Sequence, residues 1–165
     1  MEKTMTRAFG RSFAAVALLL GSTAASAGES GMGYCMCTLT QGYWSTHSEY
    51  GPAPYDDAWS LLPDGADTAF FDSGLTWYEQ FWTPPAGNAY FILSAQYAAA
   101  ELNLLNGSMA PGRVQMALAN AEALFEAQGD GDTTLTAMET RQATRWAAII
   151  DDYNNGVTGP GHCDE

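Results

Sequence analysis

Lysine is missing from the chain beyond position 3, histidine occurs only at positions 47 and 162, and cysteine only at 35, 37 and 163. The scarcity of cations has the widest consequence. Past the N-terminal stretch they are Arg113, Arg141 and Arg145, in a chain of formal net charge −13. That field repels nucleic acid phosphates and anionic lipid surfaces, so neither is an expected partner, while cations and basic partners are favoured. Acidity that keeps an exported protein soluble is a simpler account of the charge than specific calcium binding. The apolar run over 13–20 is far too short to cross a bilayer and no second one follows, so no membrane insertion is expected. A glycine-flanked nucleophilic serine, a His-Glu-x-x-His pair and a phosphate loop are all missing. Accordingly no catalytic residue and no cofactor is assigned, and the chain is expected not to be an enzyme.

The few cysteines and histidines are not scattered. All lie in or beside Cys37-Thr38-Leu39-Thr40-Gln41-Gly42-Tyr43-Trp44-Ser45-Thr46-His47 and Gly159-Pro160-Gly161-His162-Cys163. Covalent or metal chemistry is thereby confined to the place where the two ends of the chain meet.

Ahead of these segments, Lys3, Arg7 and Arg11 form a basic front, 13–20 an apolar run and Ala25-Ser26-Ala27 a small-residue cleavage site. Together they predict a secretory signal over 1–27, hence an extracellular or periplasmic product. Gly28, not cysteine, follows the cleavage point, which argues against a lipid anchor. A flexible leader is expected over 28–34, and 35–165 has the size of one domain with a real hydrophobic core.

The fold expected is mainly α, a small bundle of about three main helices wrapped by an aromatic, partly irregular N-terminal half. In 43–82 aromatics are dense and Pro/Gly turns frequent, so only short elements fit: a helix over about 55–62, and another opened by the capping box Thr76-Trp77-Tyr78-Glu79 and stopped by Pro84. Beyond Asn88, a good N-cap, apolar residues recur at helical spacing. Phe91, Ile92, Ala95, Ala99, Leu102 and Leu105 are expected to form one face up to Asn106-Gly107. After Pro111, Val114, Ala117, Leu118, Ala121, Leu124 and Phe125 form a single stripe that ends near Gly129. A third helix opens with the capping box Thr136-Ala137-Met138-Glu139 behind the staple Leu135. It buries Met138, Trp146, Ile149, Ile150 and Tyr153, and stops at Asn154-Asn155-Gly156.

Three patterns invite functional readings. Exposed tryptophans stack on sugar rings or enter protein grooves, which makes Trp59, Trp77 and Trp82 candidate ligand-binding residues, although large aromatics are more often core. Asp56, Asp57, Asp72 and Glu79 lie among aromatics as in sugar-cleaving sites, yet spacing alone does not set two carboxylates across a bond. Asp130-Gly131-Asp132-Thr133-Thr134 hints at a calcium loop but lacks the later glycine and glutamate, so a polar turn is expected.

The opening Cys37-Thr38-Leu39-Thr40-Gln41-Gly42-Tyr43-Trp44 with Thr46-His47 resembles the Cys-Thr-x-Thr-Gln-Gly-Tyr-Trp-Lys-x-His start of an uncharacterised family of secreted bacterial domains. The likeness continues through Thr83-Pro84-Pro85-Ala86-Gly87-Asn88-Ala89-Tyr90, Gln96-Tyr97-Ala98-Ala99-Ala100-Glu101-Leu102-Asn103, and Asp152-Tyr153-Asn154-Asn155-Gly156 to His162-Cys163. The resemblance implies an extracellular module without assigned catalysis, and it marks Thr40, Gln41, Gly42, Tyr43, Trp44, His47 and His162 as motif residues. Ser45 stands where that pattern has lysine, and Cys35 falls outside it. In an oxidising compartment the matching end motifs suggest a Cys37–Cys163 disulfide. A Cys35–Cys163 bridge competes, and the thiol left over is a candidate for joining two chains. The same cysteines and both histidines are ligand types for zinc or copper, but nothing has the paired spacing of zinc ribbons, and no metal is assigned. The expected function is a secreted, non-enzymatic surface or matrix module whose partner is an extracellular protein, a polysaccharide or a second copy of itself. The rivals are a carbohydrate-binding module, an acid–base hydrolase and a Cys/His metal-binding protein.

Overall fold

The computed structural model describes residues 37–128 and 132–164. The secretory signal over 1–27, the leader over 28–34, Cys35 and the Asp130-Gly131 part of the proposed turn lie outside the described residues. Within them the chain is mainly helical: α1 (Gln41–Thr46), two short 3-10 turns (Asp57–Leu61 and Gly65–Asp67), α2 (Trp77–Trp82), α3 (Ala89–Leu105), α4 (Gly112–Ala127) and α5 (Ala137–Asn154). The described residues hold no strand beyond two isolated bridges, Thr38 with His162 and Ala69 with Thr76.

Local chemistry sets the helix starts. The Thr40 hydroxyl accepts from Tyr43 N, Asn88 Oδ1 from Tyr90 N, and both expected capping boxes are formed, Thr76 with Glu79 and Thr136 with Glu139. α5 closes with Asn155-Gly156, where Gly156 at φ +69° donates to Tyr153 O and Val157 N reaches Asp152 O, a Schellman ending.

Packing is centred on α3, which meets α1, α2, the first 3-10 turn, α4 and above all α5; α5 also packs on α4. The expectation of a single apolar face on α3 is corrected. Tyr90, Leu93, Tyr97, Ala98, Ala99, Ala100 and Leu102 are buried on several sides, whereas Ile92 and Leu105 are exposed. A helix with neighbours on most sides keeps too narrow a solvent face for periodicity to mark. Ala98 and Ala100 share one core cluster with Ala143, Ala147 and Ile150 of α5, and Ala99 shares another with Trp44 and Trp59 of the aromatic wrap. On α4 every residue of the expected stripe is buried, each large apolar side chain contributing roughly 1.5–3 kcal/mol. On α5 the expected burial of Met138 is corrected, since it is 62% exposed in the first turn, while Ala143, Ala147, Ile150 and Tyr153 form the inner side.

The wrap between α1 and α3 is held by aromatic edges. Phe70 meets Trp77, Tyr97 and Phe125, all edge-on at ring centroid distances of 5.0 to 6.0 Å. The helix expected over 55–62 is a shorter 3-10 turn, capped by Asp56, whose carboxylate accepts from Ala58 N at 2.9 Å.

Candidate ligand-binding groove

The two ends of the domain are joined covalently, with Cys37 and Cys163 disulfide-bonded and their Cα atoms 5.0 Å apart. Around the bridge, Thr38 N donates to Gly161 O (2.8 Å) and Cys163 N to Thr38 O (3.0 Å), so the first and last described segments pair as a short parallel bridge. The Thr38 hydroxyl donates to Tyr153 O at 2.8 Å, and the Ser108 hydroxyl donates to Cys37 O.

Beneath the closure lies a buried chain of amides. Asn103 Oδ1 accepts from Leu39 N (2.8 Å) and from the Trp44 indole (3.3 Å), while its Nδ2 donates to Leu39 O (2.8 Å) and Asn154 Oδ1 (3.1 Å). Asn154 Nδ2 in turn donates to Gln96 O (3.0 Å) and Gln96 Oε1 (2.8 Å), and Gln96 Nε2 donates to Asp151 Oδ1 at 2.6 Å. Asn103 is saturated by these bonds, which a buried amide requires.

Most motif residues serve this architecture. Thr40 caps α1, and Trp44 is fully buried on Asn103. Tyr43 stacks on His47 with centroids 3.7 Å apart, and its hydroxyl donates to Asp56 Oδ2 at 2.9 Å. His47 is half-buried against Tyr43, and its Nδ1 lies 2.9 Å from Tyr43 O. His162 is exposed, with Nδ1 2.6 Å from Cys163 O. Among the described residues no three His, Cys, Asp or Glu side chains converge as a metal site. Asp56 and Glu79 are committed to helix caps, and Asp57 and Asp72 are exposed.

The three candidate tryptophans separate. Trp59 is 0% exposed and is corrected to a core residue packed edge-on against Phe81. Trp77 is half-buried among Phe70 and Tyr97, so it too belongs to packing. Only Trp82 is open to solvent, at 56%, beside Tyr78, which also meets exposed Tyr50.

Spacing did not reveal the groove of about 370 Å³ that lies between α1, α2 and the first half of α3. Gln41, Gly42 and Ser45 come from α1, Gln80 and Phe81 from α2, and Phe91, Ile92, Ala95 and Gln96 from α3. Gln41 and Gly42, read as motif residues, thus open onto a cavity. Gln80 is 1% exposed, donates weakly to Ser73 Oγ (3.3 Å), and has no partner for its Oε1 among the described residues. The signal available in the sequence was a glutamine within each of two apolar helical runs, at 80 and 96, where apolar residues would be the default.

A wider, mainly apolar depression of about 770 Å³ lies between Leu104, Met109, Pro111 and Pro160. Its polar wall groups point inward, Ser108 to Cys37 O and Gln115 to Ala110 O. Polar groups that fix a ligand's orientation are what a selective pocket needs, and the groove wall includes the unpartnered Gln80 Oε1, whereas the depression's Ser108 and Gln115 are both bonded to backbone carbonyls. No helix among the described residues is long and apolar enough to cross a membrane. Comparison of the chain with family models, curated proteins and solved structures gave no match.

Proposed function

We propose that this chain is an exported, non-catalytic interaction module that presents the groove between α1, α2 and α3 to an extracellular partner. The observation that carries this reading is the division of labour in the end motif. Cys37, Thr38, Leu39, Trp44, Asn103, Asn154 and Cys163 are spent on closure and on its amide network, while Gln41, Gly42 and Ser45 of the same segment face a cavity of ligand size. Gln96 belongs to both, being 7% exposed, bonded to Asn154 and part of the groove wall. Closure therefore stiffens the wall that a ligand would touch, and preorganisation lowers the cost of binding. The secretory signal, the motif resemblance and the disulfide support an oxidising destination, and the acidic surface makes nucleic acid an unfavourable partner.

The test is to express the chain with its own leader in a bacterial host and to incubate the processed, oxidised protein with polysaccharides and peptides. Mass spectrometry should find a mature chain bridged 37–163 outside the cytoplasm and every offered molecule intact. Turnover abolished by Asp56→Asn or Glu79→Gln would overturn the non-catalytic reading.

A further inference from the structure

We infer that the groove takes a neutral saccharide. This rests on the module reading and names the class of ligand at the same site. The chain carries a formal charge of −13, yet none of the groove's eleven lining residues is charged. They alternate between neutral hydrogen-bonding groups (Gln41, Ser45, Gln80, Thr83, Gln96) and apolar surfaces that include the rings of Phe81, Phe91 and Pro85.

A sugar presents that mixture in reverse. Its hydroxyls both donate and accept, as side-chain amides do, and its C–H faces lie on aromatic rings as apolar surfaces. Gln96 is committed to Asn154 and Asp151, and the Thr83 hydroxyl to Glu79 O, but two of the other polar groups keep capacity. Gln80 Oε1 lacks a protein partner although the residue is 1% exposed, and the Ser45 hydroxyl donates inward to Gly42 O, which leaves its lone pairs free to accept. Ser45 occupies the position where the motif resemblance places lysine, so its small hydroxyl keeps the groove both open and uncharged.

Other ligand classes fit less well. Anionic glycans meet a repulsive field with no cation in the wall to offset it. A cation finds no carboxylate on that wall. Extended peptides dock mainly through an exposed sheet edge, and helical ones need a continuous apolar groove. The described residues provide no strand for the first, and the glutamine-rich wall interrupts the second.

The test is a glycan array carrying neutral and acidic oligosaccharides, probed with the oxidised protein, then calorimetric titration of the best neutral binder. Two variants accompany it, Ala95→Phe, which fills the groove from α3, and Trp82→Ala on the exposed aromatic face. Binding confined to neutral glycans, weakened at least tenfold by Ala95→Phe and less than threefold by Trp82→Ala with thermal melting kept, is the expected result. No neutral glycan bound, acidic glycans bound equally well, or binding lost only in Trp82→Ala would each overturn the assignment. Should Ala95→Phe fail to fold, Gln41→Ala, at the start of α1, takes its place with a threefold or greater loss expected. The module reading fails separately, if an offered molecule is cleaved or if the bridged chain is not found outside the cytoplasm.

Discussion

Asn103 shows what a single side chain does in this protein. It is fully buried in the last turn of α3 and holds both backbone groups of Leu39, the Trp44 indole and Asn154. Replacing it with leucine, which keeps the bulk, strands several buried polar groups, each costing about 1–3 kcal/mol. Asn103→Leu should therefore lose at least about 3 kcal/mol in urea unfolding, and a loss below 1 kcal/mol would show that the network relaxes onto other partners. Two residues earlier, Glu101 is pushed up to about 7, chiefly by burial and secondly by the Glu122 carboxylate on α4. The sign follows from linkage. The folded chain holds this proton more tightly than the unfolded one, so the group's contribution is complete below about pH 4.5 and is lost as pH rises through 7. Glu101→Gln should accordingly raise stability at pH 8 by on the order of 2 kcal/mol relative to the parent. Little change is expected at pH 4, and equal effects at both pH values would show that charge is not the cause.

At the scale of elements, legibility depended on whether an element has a solvent face. α4 was readable to the residue because one stripe is buried and the rest is wet, and the capping boxes at Thr76 and Thr136 fixed two helix starts. α3 misled because neighbours on most sides leave it only a narrow solvent face. α1 went unread because six residues carry too little periodicity to distinguish from loop. The groove was beyond reach for a different reason, since it is assembled from residues as far apart as 41 and 96 that only tertiary packing brings together. The end of α5 was legible as Asn154-Asn155-Gly156, but not its stringency. At Gly156 a methyl group would collide with the backbone of Gly161 and His162, at a φ of +69° that disfavours other residues. Gly156→Ala should cost more than about 2 kcal/mol, combining the strained φ with the displaced closing segment. Hydrogen exchange would show lost protection at Thr38 N and Cys163 N, the two amides of the bridge between the ends. Protection retained at both would place the damage elsewhere.

Across the whole molecule, the disulfide spans 126 residues of sequence and encloses every helix among the described residues. In the chain-entropy account, a closure of that length stabilises the fold by about 4 to 5 kcal/mol through the unfolded state, though strain and residual structure often reduce the yield. The native contacts at the junction do not depend on the sulfur atoms alone. Thr38 pairs with the 161–163 segment, its hydroxyl holds Tyr153 O, and Asn103 anchors Leu39. Removing the bridge should therefore destabilise the chain without dismantling it. The double variant Cys37→Ala/Cys163→Ala should keep its helical circular dichroism at 25 °C while losing about 2–5 kcal/mol in urea, with a larger m-value because the freed unfolded chain expands. Because Gln96 ties the amide network to the groove wall, the same variant should also bind any groove ligand more weakly, through loss of preorganisation rather than loss of a contact. An unchanged urea midpoint would mean that the paired ends already restrict the unfolded chain, and the bridge would then have no thermodynamic part in keeping the groove in shape.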